Sequence, residues 1–271
     1  MNWRNYTPAE LEREYTPASL VENIQIYLDE YTKAGTRSRE AIRHTKLQYG
    51  AHSDEWLWLA RNSATNKNEQ KLIVFVHGGF WRRLSADDGT FLTRDFHRLG
   101  FDFASINYSL CPNEPLETLV DQTSRAIQFL TETYKTENIT LIGHSAGAHL
   151  VSMALIGNSA TKFARAILVS GIFDLTPLIH TSINDVLKLD EKSAQLLSPI
   201  NFVSHASNTK LTIIWGENET DEFKRQSHEF ASASTKAKTN SQINKIEISG
   251  RNHFDILYDL STTDVIDLPS A

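Results

Sequence analysis

Ser145 stands in Gly143-His144-Ser145-Ala146-Gly147, behind the apolar run Ile139-Thr140-Leu141-Ile142 and ahead of a helix-compatible stretch. A serine at a sharp strand-to-helix turn adopts a strained backbone conformation, which glycines two before and two after permit by removing side-chain clashes. Its hydroxyl then projects at a helix N-terminus, whose partial positive charge favours an oxyanion. The predicted chemistry is nucleophilic attack on an ester or amide carbonyl, with no metal or organic cofactor required. The rival reading, a glycine-rich turn with an incidental serine, leaves the flanking strand and helix unexplained.

A second signal is Leu72-Ile73-Val74-Phe75-Val76 running into His77-Gly78-Gly79-Phe80-Trp81. Acyl transfer needs donors aimed at the developing oxyanion, and backbone at glycine can approach closely. The amides of Gly79, Phe80 and Ala146 are assigned to that hole, and Gly78 and Trp81 join them as oxyanion or substrate-binding residues. Phe80, Trp81 and the N-terminal helices could wall a substrate ring or equally belong to the core. His77 is expected to brace the loop by hydrogen bonding rather than act as a base.

Serine needs a base, and triads of this architecture run in the order Ser, acid, His. Among ten histidines, His253 follows the last expected strand in Ile248-Ser249-Gly250-Arg251-Asn252-His253-Phe254. His144 is expected to point away from the nucleophile, and His149 lies a helical turn beyond it. His180, His205 and His228 read as surface or supporting residues. The acid should follow Leu211-Thr212-Ile213-Ile214-Trp215-Gly216, where Glu217, Glu219, Asp221 and Glu222 crowd the turn. Position favours Glu219, with Asp221 as the alternative because it could instead cap the next helix. Glu217 and Glu222 read as solvated charges.

The elements that must position these residues alternate strand and helix, the pattern of a mostly parallel sheet covered on both faces. Strands are expected at 56–59, 72–76, 103–106, 139–142, 166–169, 211–215 and 246–248, and helices at 87–99, 115–134, 146–157 and 221–237. Thr7-Pro8 and Thr16-Pro17 each place a hydroxyl before proline and predict two N-terminal helices, the second over 18–34 with Gly35 as its stop. The chain thus divides as one domain over 1–271, with a helical extension at 1–45 and a strand-free interval at 172–210 suited to a cap or lid. Residues 62–70 read as a polar hairpin-like connection, and 232–242 as a polar surface stretch.

Composition narrows the classes. The 271 residues are 40% hydrophobic and 22% charged, as in an ordinary globular domain. A formal charge of −6 offers no footprint for a phosphate backbone, so nucleic acid is an unexpected partner. The single cysteine, Cys111, cannot form an intramolecular disulfide, and no zinc-type spacing is present. The polar N-terminus carries no apolar signal core, and no run reaches the roughly 18 apolar residues of a membrane span. A cytoplasmic enzyme acting on a small molecule is expected, with no membrane partner and with a homodimer left open.

These residues resemble the kynurenine formamidase (arylformamidase) family of the α/β-hydrolases, marked by His-Gly-Gly-x-Trp, here His77 to Trp81. The likeness extends through Glu10-Leu11-Glu12, Tyr15-Thr16-Pro17, Gly143 to Leu150, Leu168-Val169-Ser170-Gly171-Ile172-Phe173-Asp174-Leu175, Leu197-Ser198-Pro199, Glu222 to Ser227 and Asn252-His253-Phe254. The resemblance implies an α/β-hydrolase fold and a Ser145–His253–Glu219 triad, with glutamate where aspartate is usual. It also implies hydrolysis of N-formyl-L-kynurenine to kynurenine and formate in tryptophan breakdown. A short-acyl carboxylesterase or small amidase with the same machinery is the alternative, and a non-catalytic binding protein on this fold the remote one.

Overall fold

Short runs that are apolar at every position need cover on both faces, and a parallel sheet between helices supplies it. The computed structural model describes residues 3–63, 70–237 and 242–261. Among these, eight strands form one sheet: β1 (Thr45–Gln48), β2 (Trp56–Ala60), β3 (Leu72–Val76), β4 (Asp102–Ile106), β5 (Ile139–His144), β6 (Arg165–Val169), β7 (Leu211–Asn218) and β8 (Ile243–Asn252). Their spatial order is β1-β2-β4-β3-β5-β6-β7-β8. β2 is antiparallel to both β1 and β4, and every pair from β4 through β3 to β8 is parallel.

The two-residue side-chain period divides the core between the faces. In β3, Leu72, Val74 and Val76 enter one apolar cluster while Ile73 and Phe75 enter the other. β6 repeats this, with Ala166 and Leu168 on the first face and Ile167 and Val169 on the second. The expected strands are present, and β1 is an addition. Its sequence Thr-Lys-Leu-Gln lies largely exposed at the sheet edge, so no apolar run marks it.

Two helices precede the sheet, α1 (Pro8–Glu14) and α2 (Ile24–Ala41). The Thr7 hydroxyl accepts from Glu10 N at 3.3 Å while the Glu10 carboxylate accepts from Thr7 N at 2.8 Å, a reciprocal cap for α1. Thr16-Pro17 opens only a short 3-10 turn, and α2 is capped instead by Asn23, whose Oδ1 accepts from Gln25 N at 2.9 Å. The expected stop at Gly35 is incorrect: the helix runs on to Ala41. Gly35 is the point where α2 meets the 86–92 segment, and a Cβ there would lie 2.5 Å from Asp87 O. Close approach, rather than helix termination, accounts for this glycine.

The expected helix over 87–99 is broken into α3 (Ala86–Gly89) and α4 (Thr93–Arg98), joined by a 3-10 turn. α5 (Leu116–Thr131) and α6 (Ala146–Gly157) pack side by side. α6 is buried almost all round, as expected of a helix enclosed by other elements. Between β6 and β7 the chain forms 3-10 turns and the short helices α7 (Asn184–Leu187) and α8 (Glu191–Leu196), with α9 (Asp221–Ala237) following β7. The connection expected over 62–70 falls mostly outside the described residues, as do 238–241 of the polar 232–242 stretch, whose first six residues belong to α9.

Candidate active site

In open parallel sheets, ligand sites gather beyond the carboxyl ends of the strands. Here the loop after β3 carries Gly78 to Leu84, β5 leads to Ser145, β6 to Ser170, β7 to Glu219, and β8 to His253.

Ser145 has φ 54° and ψ −119°, a conformation L-residues seldom adopt, and its amide is anchored by donation to Val169 O at 2.8 Å. The turn is this tight because α6 starts directly against β3. A Cβ on Gly147 would lie 2.1 Å from Val76 O, so only glycine admits that approach. The serine hydroxyl does not cap α6. Both Ser145 and His253 line one cavity.

His253 Nδ1 lies 2.9 Å from Glu219 Oε2. A carboxylate accepts, so Nδ1 is the donor in this contact. The other carboxylate oxygen, Oε1, accepts from Gly216 N at 2.7 Å and Ser170 Oγ at 2.6 Å. Glu219 is therefore fixed by three donors, with its side chain fully buried. This explains how glutamate fits: the chain curls past an irregularity at Gly216/Asn218, and the longer side chain folds back onto the Gly216 amide. Asp221 is exposed as the first residue of α9 and takes no part in this constellation.

The histidine loop is braced from the N-terminal extension. Tyr31 on α2 donates its hydroxyl to Phe254 O, Asn252 Nδ2 donates to the Tyr27 hydroxyl at 3.0 Å, and Tyr27 stacks on Phe254 with centroids 5.3 Å apart. His144 also differs from expectation. It lines the cavity beside His253, with ring centroids 4.9 Å apart and its Nε2 2.8 Å from His253 O.

The loop after β3 runs through left-handed backbone at Gly79 (φ 99°), Phe80 (φ 50°) and Trp81 (φ 57°), closed by Arg82 N donating to Gly79 O at 3.1 Å. Among the described residues the amides of Gly79, Phe80 and Ala146 have no hydrogen-bond acceptor in the protein. Gly78 lies so close beneath the serine that a Cβ there would be 3.0 Å from Ser145 Cβ. Gly79 and Phe80 line the cavity. Trp81 does not, which corrects its expected place among the oxyanion or substrate-binding residues. It is fully buried, and its indole N–H donates to His149 Nδ1 at 3.2 Å while His149 Nε2 donates to Leu197 O at 2.8 Å. Trp81 and His149 thus tie the loop to α6 and the 172–210 interval. His77 stacks on Tyr108 at 4.2 Å and donates from Nδ1 to Gly78 O at 2.9 Å, a bracing position.

Sequence reasoning missed a buried network under the cavity. Glu222, expected to be solvated, is fully buried. It accepts from Tyr15 Oη at 2.8 Å and from Arg225 Nε and Nη2 at 2.9 and 2.8 Å. Gln226 donates to Tyr15 Oη at 2.8 Å and accepts from the amides of Phe173 and Asp174 at 2.9 and 2.8 Å. Its signal was the spacing Glu222-Arg225-Gln226, which puts all three on adjoining turns of one helix. Tyr15→Phe should cost about 1–3 kcal/mol of stability by leaving buried polar partners unsatisfied, read from the urea midpoint; an unchanged midpoint would contradict the network's role.

Burial pushes the imidazole of His144 down to about 3, and those of His77 and His149 down to about 4. An unfolded chain protonates its histidines near pH 6.5, whereas these three stay neutral in the fold to well below that. The unfolded state then binds more protons, so stability is full above about pH 7 and drains as pH falls through 6.5 toward 4. At about 1.4 kcal/mol per pH unit for each group, the three together give a slope of about 4 near pH 5. Urea unfolding across pH 4.5–7.5 checks this; a flat profile would contradict it.

The cavity measures about 260 Å³ and is walled by Tyr15, Pro17, Ile24, Leu28, Tyr31, Phe80, Ile183 and Phe254, with Glu12, Arg82, Arg83 and Ser182 as polar members. Among the described residues no cluster of three or more His, Cys, Asp or Glu could hold a metal ion, and no helix is long and apolar enough to cross a membrane.

The BD-FAE family profile matches residues 61–175. Kynurenine formamidase from Danio rerio is 29% identical over 96% of this chain and 93% of its own length, and that from Drosophila melanogaster 28% identical over 74% and 72%. Among solved structures, a putative thioesterase from Silicibacter sp. tm1040 superposes with a TM-score of 0.85 at 24% identity, covering 95% of this chain and 99% of its own. A Pyrobaculum calidifontis esterase superposes with a TM-score of 0.69 at 14% identity, covering 95% and 98%. The chain has the α/β-hydrolase fold, is an enzyme of the hydrolase type, and is similar over most of its length to kynurenine formamidases.

Proposed function

We propose that this enzyme is a serine hydrolase that cleaves the formamide of N-formyl-L-kynurenine, giving L-kynurenine and formate in tryptophan breakdown. The observation that carries the reading is His253, paired with the buried Glu219 and lining one cavity with the strained Ser145, in a chain whose full-length relatives are named kynurenine formamidases.

In this mechanism His253 Nε2 takes the Ser145 proton as Oγ bonds to the formyl carbon. The carbonyl oxygen, now carrying the charge, accepts from the amides of Ala146, Gly79 and Phe80. His253 then protonates the departing arylamine nitrogen as the C–N bond breaks, leaving a formyl ester on Ser145 and neutral kynurenine. A water, deprotonated by His253, attacks that ester; formate leaves and Oγ recovers its proton. Glu219 holds the imidazole in the tautomer this requires and stabilises the imidazolium between steps. Gly78 gives the nucleophile its clearance, and residues 172–210 roof the cavity through Ser182 and Ile183 as a cap. The compartment is the cytoplasm, and no cofactor takes part.

The test is product stoichiometry. Incubation with N-formyl-L-kynurenine should release kynurenine and formate one for one, with Ser145→Ala inactive. The second reading, a short-acyl esterase, draws on a 31% identical segment of a probable isoprenylcysteine α-carbonyl methylesterase from Oryza sativa, aligned over 35% of this chain. Hydrolysis of p-nitrophenyl acetate and butyrate with no formate from the formamide would favour that reading.

A further inference from the structure

Two features of the cavity are not used by the bond-breaking steps. Arg82 follows the left-handed turn, lines the cavity, and keeps a buried Nε that has no hydrogen-bond partner among the described residues. Glu12 lines the same cavity from α1, its carboxylate held by Ser182 N at 2.8 Å and by the Ser182 hydroxyl. No ion pair joins the two, so both charges remain available to a ligand. Arg82 places a guanidinium charge on the cavity wall, and a carboxylate is the group whose two oxygens match its fork of N–H donors. The remaining wall is mostly aromatic and aliphatic, with Tyr31, Phe80 and Phe254 among its members.

We infer that Arg82 binds the α-carboxylate of a zwitterionic amino-acid substrate, with Glu12 supplying the opposite charge for its ammonium. This rests on the formamidase reading and names its specificity determinant. Arg82 is a positioning residue: it touches the substrate's head group while the reacting atoms lie at Ser145. Arg83, exposed at the rim, contributes less.

The experiment compares kcat/KM for N-formyl-L-kynurenine with that for 2′-formamidoacetophenone, which keeps the formamide and lacks the amino-acid head group. The wild-type enzyme should prefer the zwitterion. Arg82→Gln, checked by thermal melting for an intact fold, should lower that preference about 30-fold, mostly through KM for the zwitterion. Arg82→Lys should recover part of it, since charge returns without the fork, and Glu12→Gln should raise KM for the zwitterion several-fold. A preference that survives Arg82→Gln in an active enzyme overturns the inference and leaves the formamidase reading standing. Failure of the wild-type enzyme on both formamides overturns that reading and this subsite with it.

Discussion

Ser145→Ala should lower kcat by about a million-fold while the melting temperature stays close to that of the parent enzyme. In the proposed mechanism the loss is large because the serine hydroxyl supplies the bond that divides formamide hydrolysis into two steps. His144 and His149 are both engaged with backbone carbonyls. Removing the nucleophile from such a triad costs about as much as removing the whole unit, the remainder being substrate binding and oxyanion stabilisation. Stability should barely change, since the hydroxyl caps nothing and alanine meets the same φ of 54° that serine already tolerates. Steady-state kinetics beside a thermal melt decides it; retained turnover would remove Ser145 from the mechanism.

Glu219→Gln should cost roughly a thousand- to ten-thousand-fold in kcat, whereas Asp221→Asn should change the rate little. The carboxylate of Glu219 faces three donors at once: His253 Nδ1, Gly216 N and Ser170 Oγ. A carboxamide replaces one of the two accepting oxygens with an NH2 group, so it must set an N–H against either the imidazole N–H or the Gly216 N–H. The first arrangement drives His253 into the tautomer that protonates Nε2, and a protonated Nε2 cannot take the serine proton. Asp221, exposed at the start of α9, loses only a favourable interaction with the helix dipole, about 0.3–1 kcal/mol of stability. The opposite ranking in kcat would transfer the acid's role to Asp221.

The candidate nucleophile, base and acid could be assigned from the sequence because each follows a strand, and strands buried on both faces announce themselves as apolar runs. Ser145 and His253 needed only that order, and Glu219 needed the distance from Gly216. Other features were hidden for physical reasons. β1 is an edge strand with one wet face, so its side chains carry no apolar signature. Gly35 looks the same in sequence whether it ends a helix or lets another segment approach it, and only the nearness of Asp87 O separates the two. Trp81 reads as a wall residue or a core residue until its indole is seen to donate to His149. Glu222 sits among charges that are otherwise exposed, and its burial depends on Tyr15 from more than two hundred positions away, a contact that local spacing does not encode.

The most direct test of the account is kcat/KM of the purified enzyme for N-formyl-L-kynurenine beside p-nitrophenyl acetate and butyrate, with Ser145→Ala as the blank. A strong preference for the formamide that vanishes in the blank is the expected result; good ester turnover with negligible formamide hydrolysis would contradict the formamidase proposal.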